Sequence, residues 1–331
     1  MDKDNDIFRE FGVTITDKES IIPVVENFER NYKLHGRMGK NFYLYDVSRY
    51  NYKTFASNNI LGELYSELHK NKNCKYITYV NQLLKENYIP KYISCLVKTT
   101  LGRKYSDREV IVSRLLNLFQ VNTAFNTKYS GDFVGDNSII SVDFMEASEK
   151  YFNFEDIGIP KKFTLQSLPS WDDKVVQVIK KHFPDVSEQD ITEIRKDFFR
   201  SYLARFLILN DVDMDANNQG VCVDNEKHTI RLVPNHDFEF SLGSTLRDEL
   251  MQELLDSAIN YYYAIFPDEL KKQVRILTNV KHRGLVDNIV KKHTNLGYAM
   301  VVSSVVNDNI NILRDKYKEV VSKNKSFNMD R

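Results

Sequence analysis

The chain has 331 residues, 46 of them basic and 46 acidic, so its formal net charge is zero, which argues against binding nucleic acid through bulk charge and leaves only a local basic patch open. Hydrophobic residues make up 42%, enough for a substantial core in one large two-lobed unit or two domains. Cys74, Cys95 and Cys222 are widely spaced with no CxxC pair, which argues against a zinc site or a disulfide framework and predicts reduced thiols. The polar start MDKDNDIFRE is unlike a signal peptide, and no apolar run approaches transmembrane length. The expectation is a soluble, cytoplasmic protein.

Along the first part of the chain, Phe42 to Val47 reads as a strand, and Leu61 to Lys70 and Tyr79 to Asn87 as short helices. Arg37 to Lys40 is a basic turn. No GxGxxG loop and no GxxxxGK[ST] occurs, which excludes a sequence-visible P-loop or dinucleotide fold. Tyr92 to Lys98 alternates into a strand ending on Lys98. A polar loop, Thr99 to Asp107, leads to a predicted helix from Arg108 to Phe119. Asp107 and Glu109 near its start favour a helix N-terminus. A strand lysine facing an early-helix glutamate can fix the lysine onto nucleotide phosphates. Gly131 to Asn137 is a turn and Ser138 to Met145 a strand. Asp143, Phe144 and Met145 are placed at a hinge whose backbone would meet adenine; an ordinary core strand is the competing reading.

From Lys150 helices dominate. Trp171 to Phe183 opens after Ser170, an expected N-cap. Val186 to Asn210, with Ser187 at its start, is a long apolar helix. Leu246 to Phe266 is stopped by Pro267, and further helices cover Glu269 to Ile276, Arg283 to Thr294 and Val301 to Val321. The last residues, KNKSFNMDR, are expected to fray.

One stretch interrupts the helices: LILNDVDMDANNQGVCVDNEKHTIRLVPNHDFEF, residues 207–240. An apolar run enters a turn bearing Asp213 and Asn218. Two short strands follow, Val221 to Val223 and Thr229 to Val233, joined at Asp224 to Lys227. The second delivers Pro234-Asn235-His236-Asp237. A hairpin therefore separates two acid-bearing turns. Phosphoryl transfer needs positioning and charge neutralisation more than covalent chemistry. An acid that orients a hydroxyl, with an Asn and an Asp holding magnesium on phosphates, would supply both. A calcium loop is disfavoured, because its sixth and twelfth positions would be Ala216 and Cys222 rather than Gly and Glu.

These residues resemble the HipA-type kinases, including the smaller CtkA-like Ser/Thr kinases. That family has a D-x-H-x-x-N loop, a short strand, and a metal-binding Asp after a proline-containing strand. Asp213-Met214-Asp215-Ala216-Asn217-Asn218 matches the loop except at its third position, where Asp215 replaces histidine. Leu232 to Asp237 matches the second element, Leu96-Val97-Lys98 the nucleotide-lysine strand, and Arg108-Glu109-Val110 the glutamate helix. The resemblance spans roughly residues 90 to 245. It implies an α+β, bilobal protein-kinase-like fold, with a small mixed α/β N-lobe and a mainly helical C-lobe carrying a catalytic hairpin. Residues 1–88 stay unassigned, 89–146 would form the N-lobe and 147–331 the C-lobe. By the same resemblance, Asp213 is the catalytic acid and Asn218 and Asp237 hold Mg2+. Lys98 contacts the ATP phosphates, oriented by Glu109. The implied activity is ATP-dependent phosphorylation of protein Ser or Thr hydroxyls, including its own. No phosphate-covering loop is recognisable before Lys98. Two alternatives stay open: a pseudokinase that binds nucleotide as an interaction module, and a phosphoinositide-type lipid kinase, which lacks a membrane-binding segment here. The residues name neither the protein substrate nor the oligomeric state.

Overall fold

The computed structural model describes residues 21–23, 40–46, 92–100, 102–124, 126–129, 138–142, 149–160, 168–211, 213–242 and 249–329. The helices expected at Leu61 to Lys70 and Tyr79 to Asn87, the turn at Gly131 to Asn137 and the hinge residues Asp143, Phe144 and Met145 lie outside them. The architecture is mixed α+β, mostly helical, with a small antiparallel sheet. It divides into two compact units. One runs to Tyr151 and regains Pro234–Glu239; the other holds Phe152–Val233 and the chain from Phe240 onward.

The first unit is built on a five-stranded antiparallel sheet of order β1-β2-β3-β5-β4. Its strands are β1 (Ile21–Pro23), β2 (Lys40–Asp46), β3 (Tyr92–Thr99), β4 (Asn126–Tyr129) and β5 (Ser138–Val142). The register sets Lys98 opposite Lys40 on one side and Ile139 on the other. Helix α1 (Arg103–Leu118) packs on β4 and β5, and its Val110, Ile111, Val112, Leu115 and Leu116 are fully buried. It begins five residues before the expected Arg108. Gly102 ends the extended chain, and the Ser106 hydroxyl donates to the Arg103 carbonyl within the first turn. Asp107 and Glu109 therefore lie beyond the first turn and do not favour its N-terminus. Sequence reading also missed β4, a four-residue strand with no apolar alternation (NTKY), which the antiparallel pairing with β5 stabilises.

The second unit holds a helical body and all of a three-stranded sheet except the opening residues of its first strand, Glu149–Tyr151. The sheet runs β6-β7-β8, from β6 (Glu149–Asn153), β7 (Gly220–Asp224) and β8 (Thr229–Leu232). Strand β6 falls where helices were expected to begin. The turn between β7 and β8 closes as expected, with the Asp224 carboxylate accepting from the amides of Glu226 and Lys227. Gly220 is required, because a Cβ there would stand 2.2 Å from the Phe152 carbonyl oxygen.

Helix α2 (Leu168–His182) starts before Ser170, which is thus inside the helix rather than its cap. Helix α3 (Glu188–Ser201) is capped by Ser187, whose hydroxyl accepts from the Asp190 amide at 3.0 Å. Its buried stripe is Ile191, Ile194, Phe198 and Phe199; Phe198 stacks on Trp171 of α2. Phe199 stacks on Tyr262 of α4 (Glu249–Ile265). Buried Asp172 ties the same three helices, accepting from Arg195 at 2.9 Å and the Tyr261 hydroxyl at 2.8 Å. The chain after α3 does not continue as one α-helix to Asn210. It widens into a π-helix, Tyr202–Ile208, whose seven side chains are all buried. Pro267 opens α5 (Pro267–Leu277), a first-turn position where its missing amide costs nothing. Helices α6 (Val280–His293) and α7 (Leu296–Met329) follow. Helix α7 has 34 residues and runs into the tail expected to fray. Among the described residues no helix is long and apolar enough to cross a membrane.

Candidate functional site

The first-turn residues lie in the second unit, on a loop that leaves the π-helix at Leu209. Asn210 takes a left-handed conformation, φ 47°, and turns the chain. From there the loop is closed by its own side chains. Asn218 donates through Nδ2 to both the Asp213 carbonyl at 2.9 Å and the Asp213 carboxylate at 3.0 Å. One amide thus fixes both the backbone and the side chain of the expected catalytic acid. The Asp215 carboxylate accepts from the amides of Asn217 at 3.0 Å and Asn218 at 3.3 Å. Its place in the loop is that of a turn former, closing two donors. Gln219 donates to the carbonyls of Met214 and Asp215. Met214 and Ala216 are buried beneath the loop. The Ala216 and Gln219 carbonyls accept from Glu155 and Phe154, attaching the loop to the chain that follows β6.

Asp237 and Glu109 belong to the first unit, and they are brought together there. The residues 234–239 lie against the stretch that follows α1. Thr123 and Asn235 form a parallel bridge. The Asn235 amide donates to the Asn122 carbonyl at 3.0 Å and its side chain to the same oxygen at 2.7 Å; the Ala124 amide donates to the Asn235 carbonyl at 2.8 Å. The Arg108 guanidinium donates to the Glu239 carbonyl at 3.0 Å. Between these anchors Asp237 sits at φ 62°, a left-handed conformation that Asp and Asn tolerate better than other side-chain-bearing residues.

The result is a cluster of carboxylates. Glu109, Asp237 and Glu239 each offer an oxygen within 4.8 Å of the others, with Glu109 and Glu239 buried and Asp237 half-buried. Buried Asn126 of β4 supports the cluster, donating through Nδ2 to the Glu109 carboxylate at 3.0 Å. Carboxylates gathered at this distance repel unless a cation stands among or beside them. An all-oxygen donor set suits a hard divalent ion such as magnesium, and equally an ammonium group. Glu239 and Asn126 were not singled out in the sequence. The Asp-Phe-Glu spacing places Glu239 two residues after Asp237 and was a readable signal; nothing in the sequence near Asn126 announces its partner 17 residues earlier.

Of the remaining expected residues, Lys98 is the penultimate residue of β3, and its side chain lies outside the described part. Asp143, Phe144 and Met145 follow β5 directly but are themselves not described.

No family model and no curated relative matches the sequence. Solved structures similar to it include the following two. One is the Helicobacter pylori proinflammatory kinase CtkA, at 15% identity and a TM-score of 0.48, covering 69% of this chain and 92% of that one. The other is a chain of the Shewanella oneidensis MR-1 HipA–HipB toxin–antitoxin complex with operator DNA, at 10% identity and a TM-score of 0.44, covering 69% of this chain and 58% of that one.

Proposed function

We propose that this chain is a protein-kinase-like phosphotransferase that uses ATP and magnesium to phosphorylate a Ser or Thr hydroxyl. The observation that carries the reading is the double hydrogen bond from Asn218 to Asp213. It pre-orients an acid in the same loop as an amide whose oxygen is a magnesium ligand in the D-x-x-x-x-N pattern. Pre-orientation matters because a loose phosphoryl-transfer transition state gains from positioning and charge compensation.

In this proposal Asp213 accepts a hydrogen bond from the substrate hydroxyl and takes its proton as the oxygen bonds to the γ-phosphorus. The bond from that phosphorus to the β–γ bridging oxygen breaks, and ADP leaves. Asn218 and Asp237 would be the protein ligands to magnesium, which when bound would neutralise charge on the phosphates. Lys98 contacts the phosphates and Glu109 orients it; the buried Glu109 carboxylate suits an ammonium partner. Asp143 to Met145 would meet the adenine. The fold proposed is bilobal, with the five-stranded sheet in the N-lobe and the helical body in the C-lobe.

The deciding experiment is incorporation of label from γ-labelled ATP with magnesium, comparing the parent with Asp213→Ala. Incorporation by the parent alone, mapped to Ser or Thr, is the expected result. Nucleotide binding with no transfer to itself or to a panel of protein substrates would identify a nucleotide-binding module instead. Transfer to phosphoinositide vesicles but not to protein would reassign the acceptor.

A further inference from the structure

The loop bearing Asp213 hangs on a buried ion pair that the sequence reading did not use. Arg205 lies within the π-helix, flanked by Leu203, Ala204, Phe206 and Leu207, and its side chain has 0% exposure. Its Nε meets the Asp211 carboxylate at 2.5 Å, and Asp211 is equally buried. The two oxygens of Asp211 divide their work. One accepts from Arg205; the other accepts from the backbone amide of Asp213 at 3.1 Å. The backbone repeats the connection, since the Asp211 amide donates to the carbonyl of Arg205 itself at 3.2 Å.

The π winding makes this meeting possible. Leu209 donates to Ala204, five residues back, where an α-helix would donate four back. The end of the π-helix leaves carbonyls to be satisfied from elsewhere, and two are. Buried Asn309 of α7 donates to the Ile208 carbonyl at 2.9 Å, and the Leu242 amide donates to the Leu209 carbonyl at 2.7 Å. The base of the loop is therefore held on three sides within the second unit.

A buried ion pair is a weak device for stability. Removing two charges from water costs several kcal/mol, and well-packed apolar residues of the same volume often do as well. An apolar pair could not, however, present an acceptor to the Asp213 amide. We propose that Arg205 and Asp211 are positioning residues: Arg205 fixes the Asp211 carboxylate, which holds the main chain of Asp213 and so aims its side chain. The activity arm of this inference rests on the phosphotransferase reading; the structural arm does not.

Two double variants separate positioning from packing. Arg205→Gln with Asp211→Asn removes both charges and keeps an oxygen for the Asp213 amide. Arg205→Met with Asp211→Leu fills the volume and offers none. Amide hydrogen exchange at Asp213, thermal melting, calorimetric titration with magnesium and ATP, and label transfer are measured on the full chain. The apolar pair is expected to melt close to the parent, to bind nucleotide within about threefold, to exchange the Asp213 amide about tenfold faster and to transfer phosphate about 100-fold more slowly. The amide pair should keep exchange and transfer within about fivefold of the parent. An apolar pair that retains both Asp213 protection and transfer overturns the proposal. If the parent transfers nothing, the phosphotransferase reading fails separately and the exchange comparison decides alone. If the apolar pair does not fold, residue-resolved exchange on the parent decides. A protected Asp213 amide supports the device, and exchange at the free-peptide rate overturns it.

Discussion

The two acid-bearing turns are only 24 residues apart in sequence, from Asp213 to Asp237, yet they are held by opposite means. The side chains that shape the Asp213 loop come from the loop itself and its base, beside two backbone bonds from Phe154 and Glu155. Asn218 reaches back five residues, Asp215 forward two and three, and Asp211 forward two. The Asp237 turn depends on distant chain. Asn235 bonds a residue 113 positions earlier, and Arg108 reaches Glu239 across 131. Locally closed loops keep their shape as long as their own residues and their base are intact. A turn held by remote partners inherits every disturbance of those partners.

The contrast can be broken by experiment. The largest expected effect is at the exit of the Asp213 loop. Gly220→Ala would drive a methyl into the Phe152 carbonyl and the Asn153 Cα, 2.2 and 2.8 Å away, and should cost about 3 kcal/mol in chemical denaturation. Gly102→Ala, whose added Cβ meets nothing within 4 Å, is the matched control. Next, Asn218→Ala removes both bonds to Asp213; label transfer should fall about 100-fold while the melting temperature moves by only a few degrees. A stability loss as large as that of Gly220→Ala would mean the pair is structural rather than functional.

Asn235→Ala tests the second turn. Losing the side-chain bond to Asn122 should cost about 1 kcal/mol. It should also speed exchange across Pro234–Glu239 and leave Asp213–Asn218 protected. Equal loosening of both segments would end the distinction between them. Smaller again is Asp215→His, which gives the loop the residue found in the resembled pattern. Two amides lose their acceptor, so stability should drop by about 1 kcal/mol or less while nucleotide binding persists. Finally, Asp237→Asn keeps a residue that accepts φ 62° and removes one of three mutually repelling charges. Without magnesium its melting temperature should match or slightly exceed the parent's. With magnesium the parent should gain and the variant should not.

The same contrast explains what could be read from sequence. Asp213 and Asn218 are legible because their partnership is a fixed short spacing, and β2, β3, β7 and β8 are legible because apolar alternation or turn residues mark them. The company of Asp237 is not, because Glu109 and Asn126 reach it through the fold of α1 and β4. Strand β4 and the early start of α1 escaped for a related reason. Their residues, NTKY and RKYSD, have weak local preferences and take their state from neighbours. Arg205 carried a signal that went unused: a charge inside an otherwise apolar helical run needs a buried partner, and Asp211 was within reach. The π winding itself has no pattern to read.

That winding has a consequence for how the sequence can vary. The reach from Arg205 to Asp211 is set by a count of residues, not by their kind. Within Tyr202–Ile208 the buried apolar side chains can be exchanged for others of similar volume at modest cost. Deleting Phe206, Leu207 or Ile208 would let the segment relax to ordinary α winding and shorten the six-residue spacing from Arg205 to Asp211. The Asp213 loop would keep its own hydrogen bonds and lose the ion pair at its base. The segment should therefore tolerate substitution and reject insertions and deletions, behaving as a spacer of fixed length whose spelling is free.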